Sequence, residues 1–258
     1  MILKLSWQNG LVYRFSLFMW RLRQFLSTLM SLSLWTVLFS SQATAFGYTQ
    51  PEMLTYIFVV SVLQSMILAT VLHGLTDLVY SGNLSQILLK PVHIFMYLAS
   101  QEAADKAKNF VFIVIEAVIL FAIFQPTVVV PPVQTLLLFG LWTVGGVVLN
   151  FCISLLFGAI GFWSPDSWSG RFLFFMILNF TAGSLFPLNI LPQSVQNVLF
   201  ATPFPYLSFI QTQLFLQKLT PAEIGMHGFG LLIWILLLGG IAKATWAKGL
   251  KDYSSAGQ

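Results

Sequence analysis

The side chains able to do chemistry are few, and their spacing forms no reaction centre. The three histidines, His73, His93 and His227, stand far apart, with no H-E-x-x-H or comparable ligand spacing, so no metal site is expected. His73 and Asp77 are four apart and would share a helix face; at the end of an apolar stretch this reads as a capping or surface pair. The chain lacks a G-x-S-x-G elbow and a carboxylate pair within an apolar run, so no catalytic residue is assigned. It also lacks G-x-x-x-x-G-K-[ST], which excludes P-loop binding of ATP. The one cysteine, Cys152, lies in an apolar run and reads as a small core residue.

What remains is a set of polar groups inside apolar stretches. Glu116 is the only acid in such a stretch, roughly 12 Å beyond Lys108 at 1.5 Å per residue and near the middle of a ~30 Å bilayer core. A carboxylate there must face protein or a wet cavity, or be protonated. It reads either as a cargo contact or proton-responsive switch, or as a hydrogen bond to another helix, with Asn150 or Gln64 as partners. Gln64, Asn150 and Asn179 join Glu116 as residues of a possible cargo path. Two stripes at four-residue spacing accompany them: Gly146, Asn150, Ser154 and Gly158, and Ser61, Ser65, Ala69 and His73. Such stripes let helices approach closely, or line a path between them.

These groups need a membrane body to position them. Of 258 residues 57% are hydrophobic and 8% charged, with a mean hydropathy of +0.85, too little polar surface for a water-soluble fold. The reading is an all-α polytopic membrane protein, one transmembrane domain over 1–258. Residues 1–24 carry Lys4, Arg14, Arg21 and Arg23 beside an apolar face of Leu11, Phe15, Phe18, Leu22 and Phe25, a basic amphipathic helix suited to the inner membrane surface. Six transmembrane helices follow: Leu26–Phe46, Leu54–Leu72, Phe110–Phe124, one within Val133–Phe162, Phe172–Leu185 and Gly228–Ala242. Gln125-Pro126 and Pro131-Pro132 mark an outer turn, and Ser164-Pro165-Asp166 an inner one. Ala43-Thr44-Ala45 imitates a signal cleavage site, but the long basic region and long apolar run favour an intact N-terminus.

Residues 187–216 are apolar enough for a seventh crossing, yet Pro187, Pro192, Pro203 and Pro205 break any continuous helix. Charge sorting decides: with six crossings eleven of the twelve Lys and Arg face inward and only Lys218 faces out, whereas a seventh would put Lys243, Lys248 and Lys251 outside. Both termini are then cytoplasmic, and 187–216 reads as a re-entrant hairpin of two half-helices in the outer leaflet, between spans five and six. The cytoplasmic segment 73–108 holds a short amphipathic helix from Leu75 to Tyr80, a tight reversal at Gly82, and a second piece ended by Lys90-Pro91. Exposed Leu78, Leu84 and Leu88 would make it a docking surface.

Gly82-Asn83-Leu84 with Leu88-Leu89-Lys90-Pro91 resembles the "G-x-L…L-L-[RK]-P" stretch of type-2 ABC transporter permeases of the small six-span kind. Ala182-Gly183-Ser184-Leu185-Phe186-Pro187-Leu188, Leu191-Pro192 and Thr202-Pro203-Phe204 resemble that family's "SG…PL…LP…LPF" segment, and Tyr253-Ser254-Ser255-Ala256-Gly257 its closing "Y…G" motif. Ala182 stands where serine is frequent, and Gln258 where a second glycine is. The resemblance implies the membrane subunit of an ATP-driven exporter: two permeases, identical or closely related, with two separate ATPase subunits that use ATP and Mg. The first helix would be an elbow. Thr76, Asp77, Leu78, Tyr80, Gly82, Leu84, Leu88, Lys90 and Pro91 would couple to the ATPase, and the four hairpin prolines would form the outer gate. Cargo would be a lipid, drug-like amphiphile, peptide or glycan precursor, moved by alternating access across the cell membrane. The chain itself would be no enzyme, would bind no cofactor and would not bind nucleic acid. A lipid-acting membrane enzyme or a non-transporting anchoring subunit are the alternatives.

Overall fold

The computed structural model describes residues 14–41, 43–125, 127–164 and 168–253; the expectations resting on Lys4, Leu11, Pro126, Pro165, Asp166 and residues 254–258 lie outside them. Within the described residues the chain folds into ten α-helices, joined by short turns and one small hairpin. Four helical stretches, Phe18–Phe39, Gln50–Leu68, Val133–Phe162 and Pro221–Asp252, are long and apolar enough to cross a membrane.

Helix α1 (Arg14–Phe39) starts inside the predicted surface helix and runs on through the first predicted span. No glycine or proline interrupts it, so nothing stops helix propagation near residue 25. Its expected apolar face is the exposed one, with Phe15, Phe18 and Leu22 outward. Arg21, expected to face the cytoplasm, instead turns into the protein with its side chain 11% exposed. The helix stops at Phe39, short of the predicted Phe46. Strands β1 (Thr44–Ala45) and β2 (Tyr48–Thr49) then pair antiparallel around Phe46-Gly47, both at positive φ, as a tight hairpin turn requires.

Helix α2 (Gln50–Leu63) begins earlier than expected because Glu52 caps it, accepting from the Thr49 amide (2.7 Å) and hydroxyl (3.0 Å). It widens into a π-helical turn at Gln64–Leu68 and breaks at extended Ala69. The predicted span to Leu72, and the single face from Ser61 to His73, are therefore interrupted. Thr70 caps the following 3₁₀ turn Val71–Gly74, which leads into α3 (Leu75–Tyr80) and α4 (Leu84–Leu88).

Helix α5 (Ile94–Phe124) spans 31 residues, so the predicted third span is only its second half. Residues 102–108 look like loop because they are charged, but their charges pair along the helix: Lys106–Glu102 at 2.8 Å and Lys108–Asp105 at 2.7 Å. Helix α6 (Val133–Ala159) matches the fourth span. Helix α7 (Trp168–Thr181) has 14 residues, about 21 Å, less than a ~30 Å core. It ends before the predicted Leu185 because Gly183 takes a left-handed conformation, φ +75°. Helices α8 (Gln193–Phe200) and α9 (Phe209–Phe215) lie in the 187–216 stretch, α8 between Pro192 and Pro203 and α9 after Pro205. Helix α10 (Pro221–Asp252), 32 residues long, is capped by Thr220 and Glu223 and packs along α6.

Two apolar cores result. The larger gathers α1, α2, α6 and the 188–216 stretch around Tyr56, Leu63, Leu149 and Leu207. The smaller lies at one end, where α3, α4 and the start of α5 meet the last turns of α6 and α10.

Candidate functional site

The smaller core fixes the segment that the sequence singled out for docking. Leu75 and Val79 of α3, Leu84 and Ile87 of α4, and Ile94 and Leu98 of α5 all point inward, as three- and four-residue spacings on short helices dictate. They surround Trp246, fully buried, whose indole donates to the Leu155 carbonyl at 2.8 Å. Phe162 and Phe95 meet the Trp246 ring edge-on at 5.2 and 5.8 Å. Tyr253 packs against Phe162 and accepts from the Ser85 amide at 3.2 Å. The α3–α4 pair is thus clamped to the ends of two long helices. Backbone approaches closely at Gly161, where a Cβ would lie 2.4 Å from the Thr76 carbonyl oxygen.

Thr76 is buried and donates to Phe157 O at 2.9 Å, so it belongs to the clamp rather than to a docking face. Asp77 is exposed, Tyr80 half-buried, and Gly82 makes the expected reversal with φ +79°. Of the three leucines expected outside, Leu88 alone is, at 42% exposed; Leu84 is 0% exposed and Leu78 half-buried. The outward apolar surface instead continues through Leu89 (86%), Val92 (51%) and Met96 (71%), beside exposed Pro91. Lys90 sits over the Tyr97 ring at 4.5 Å. This face is apolar with a single cation, five residues from the buried Leu84.

The proposed cargo-path residues do not meet in one place. Glu116 pairs with Arg21 of α1 at 3.5 Å, rather than with Asn150 or Gln64; Gln64 accepts from Gln24 at 3.1 Å. The Arg21 guanidinium also reaches Asn109 Oδ1 and lies over Phe112. Asn150 donates to Ile67 O at 2.7 Å, and Asn179 to Phe175 O within its own helix. Asn109 and Lys106 act on the same stretch as Asn150, Asn109 donating to Ser65 O at 3.2 Å and Lys106 to Ala69 O. With Glu102 accepting from Val71 N at 3.2 Å and from Thr70 Oγ1 at 2.8 Å, they satisfy the backbone freed where α2 breaks, as a helix broken in an apolar setting requires. The stripe from Gly146 to Gly158 is the packing surface there: a Cβ at Gly146 would meet Ile67 at 2.6 Å, and one at Gly158 would meet Leu75 at 2.4 Å.

Beside the break, an open cleft of about 50 Å³ lies between α6, α7 and the 70–73 turn. His73, Arg171, Asn150 and Ser154 face it together with Phe157, Phe174 and Leu178. Burial and, after it, the neighbouring Arg171 cation hold the His73 imidazole below the ordinary histidine range. Sequence reading misses this cleft because Arg171 and His73 are far apart in the chain and stand at the ends of different predicted spans.

At the opposite end, the four prolines stand at the starts of short helices: Pro187, Pro192 and Pro203 each stand just before one, and Pro205 is buried in the first turn of the one that Pro203 precedes. The stretch is tied down by Phe209 N donating to Ala182 O (3.0 Å), by Tyr56 Oη donating to Gly183 O (2.5 Å), and by Gln213 donating to Tyr48 Oη (2.8 Å). Lys218 bonds Glu52 and Gly47 O, each at 3.0 Å. Among the described residues no cluster of His, Cys, Asp and Glu is suited to hold a metal.

Apolar helices, a broken membrane helix with satisfied backbone, and a clamped pair of short end helices define a multi-pass helical membrane protein. A family model described as ABC-2 family transporter protein matches residues 25–257. The chain belongs to that family, as a type-2 ABC transporter permease. No curated protein matches it in sequence.

Proposed function

We propose that this chain is the permease subunit of an ATP-driven exporter in the cell membrane, moving an amphipathic cargo by alternating access. In this reading it crosses the bilayer six times with both termini in the cytoplasm. Two such permeases, identical or closely related, join two separate ATPase subunits that bind ATP and Mg; this chain hydrolyses nothing. The α3–α4 pair seats in the ATPase, and the 187–216 stretch dips into the outer leaflet as a re-entrant gate.

The observation that carries the reading is the clamp around Trp246. A segment able to transmit force must be rigid against the helices it moves and apolar toward what moves it. The α3–α4 pair has both properties: a buried inner face on α6 and α10, and an outer face of Leu88, Leu89, Val92 and Met96. The test is co-purification in mild detergent with mass spectrometry of bound proteins. A P-loop ATPase is expected with the unaltered chain and is expected to be lost from Leu88→Asp/Leu89→Asp, which still inserts and elutes as a single species. An ATPase retained by that variant would place the coupling surface elsewhere.

A further inference from the structure

The cleft beside the α2 break has a composition that its packing role does not account for. The polar groups that support the α2 break are partnered: Asn109, Asn150, Lys106 and Glu102 each bond the broken backbone. The three polar side chains Arg171, His73 and Ser154 face the cleft with no hydrogen bond or ion pair among the described residues. Arg171 is half-buried, and the two acids that act on the neighbouring His73 are committed elsewhere, Glu102 to Lys106 and Asp105 to Lys108. A guanidinium in a partly desolvated setting gains most from a carboxylate or phosphate, which it binds bidentately. His73, held toward its neutral form, supplies a donor without adding a second charge.

Apart from Thr70 and Asn150, which are bonded to Glu102 and to Ile67 O, the rest of the lining is apolar, with Leu68, Ile153, Phe157, Phe174, Phe175 and Leu178. Arg171 at the start of α7, Ser154 near the end of α6 and His73 in the turn thus set three polar groups beside an apolar seam between α6 and α7. Ser154 stands five residues before the end of α6, about 8 Å by helical rise, so the polar part lies at the level where α3 leaves the helical body. Helix α7 closes one side through few contacts, chiefly Phe174 against Phe157 (4.5 Å) and against Phe204 (5.8 Å). The present 50 Å³ admits a few water molecules or a headgroup; an acyl or alkyl chain enters only when α7 moves outward.

From this we infer that the cleft is the headgroup subsite for an anionic amphiphile, with Arg171 as its counter-ion, His73 and Ser154 as its hydrogen-bonding partners, and the α6–α7 seam as the track for its tail. The inference deepens the exporter reading by naming the cargo chemistry, and rests on it for the word cargo; the binding itself does not.

The test therefore measures binding to the purified chain alone, with no ATPase. Dodecyl phosphate and dodecylphosphocholine have the same tail and differ in net headgroup charge. Titrated against the chain in a nonionic detergent, the anionic probe is expected to raise the thermal midpoint and the zwitterionic one to have little effect. Arg171→Gln is expected to weaken the anionic response at least about tenfold in probe concentration, the scale of one charge-assisted hydrogen bond, and Arg171→Lys, which keeps the charge but not the two-pronged geometry, to fall between Arg171→Gln and the unaltered chain. Ser154→Leu, which fills the cleft without touching the charge, is expected to abolish it; this variant keeps the test decisive if Arg171→Gln does not fold. Equal responses to the two probes, or an undiminished response in folded Arg171→Gln or Ser154→Leu, would overturn the inference. Nanodiscs of phosphatidylcholine with or without phosphatidylglycerol then assign the source. Competition by phosphatidylglycerol identifies a bilayer lipid as the occupant, and its absence a non-bilayer amphiphile. Loss of ATPase co-purification with probe binding intact would sink the exporter reading and leave the subsite standing.

Discussion

Leu84 and Leu89 are chemically identical and five residues apart, yet opposite consequences are expected from replacing them. Leu84 is fully buried against the Trp246 cluster, so Leu84→Ala removes packing on every side and is expected to cost about 2–5 kcal/mol. Leu89 is 86% exposed, and Leu89→Ala is expected to change stability by less than about 0.5 kcal/mol. Thermal unfolding in detergent separates the two. Equal shifts would mean that α4 presents a different face. Arg21 and Glu116 supply the other test at this scale. Their side chains are 11% and 19% exposed, so Glu116→Gln strands a cation, at a cost of about 3 kcal/mol or more, the usual penalty for breaking a buried pair. Combining it with Arg21→Met is expected to recover most of that loss in a double-mutant cycle, since no uncompensated charge remains. A transport role for Glu116 predicts otherwise: lost turnover with unchanged stability.

Among the elements, the joint between α3 and the end of α6 is the most sharply constrained. At Gly161 an added Cβ would sit 2.4 Å from a backbone oxygen and 3.0 Å from Val79, and backbone cannot swing aside as a side chain can. Gly161→Ala is therefore expected to wedge α3 off α6 while leaving Leu88, Leu89 and Met96 outward. Under the exporter reading the variant still co-purifies with its ATPase, and cargo-stimulated hydrolysis falls several-fold; unchanged stimulation would mean that the joint carries no signal. These elements were unevenly legible in the sequence. The long apolar stretches within α6 and α10 follow from composition alone, and the interruptions in 187–216 from the missing N–H of each proline. The reversal at Gly82 is a local signal of the same kind, whereas the Thr49–Glu52 and Thr220–Glu223 caps start α2 and α10 ahead of the Leu54 and Gly228 expected from hydropathy. The π turn at Gln64–Leu68 has no local signal, because its support comes from Asn109, Lys106 and Asn150 on other helices. The charged start of α5 was hidden for the converse reason: its Lys and Glu read as solvent-facing loop until paired along one helix. The cleft was illegible because Arg171 and His73 meet only in the folded chain.

For the molecule as a whole, the distribution of cations gives an orientation to test. Lys90, Lys243, Lys248 and Lys251 belong to α5's approach and α10's last turns, which meet at the Trp246 cluster. Lys218 lies at the other end, against Glu52 and Gly47. If the inward-positive bias holds, the Trp246 end is cytoplasmic and the proline-broken stretch faces out. Cysteine labelling of intact cells with a membrane-impermeant maleimide reads this directly, in a Cys152→Ala background that removes the native thiol. Ser81→Cys and Lys251→Cys are expected to label only after lysis; Ala43→Cys and Ser194→Cys are expected to label on intact cells. Lys251→Cys reacting from outside would restore a seventh crossing through 187–216. Gly170→Cys decides the remaining crossing, because α7 at 14 residues is shorter than a bilayer core and would need the chain through Gly183 and beyond to complete one. Protection of Gly170→Cys with reactivity of Ser194→Cys means that the chain from 170 to 194 crosses; reactivity at both would confine α7 to the outer leaflet. The second result would also remove the inner-leaflet track beside α7, so the crossing count and the anionic subsite stand or fall on the same helix.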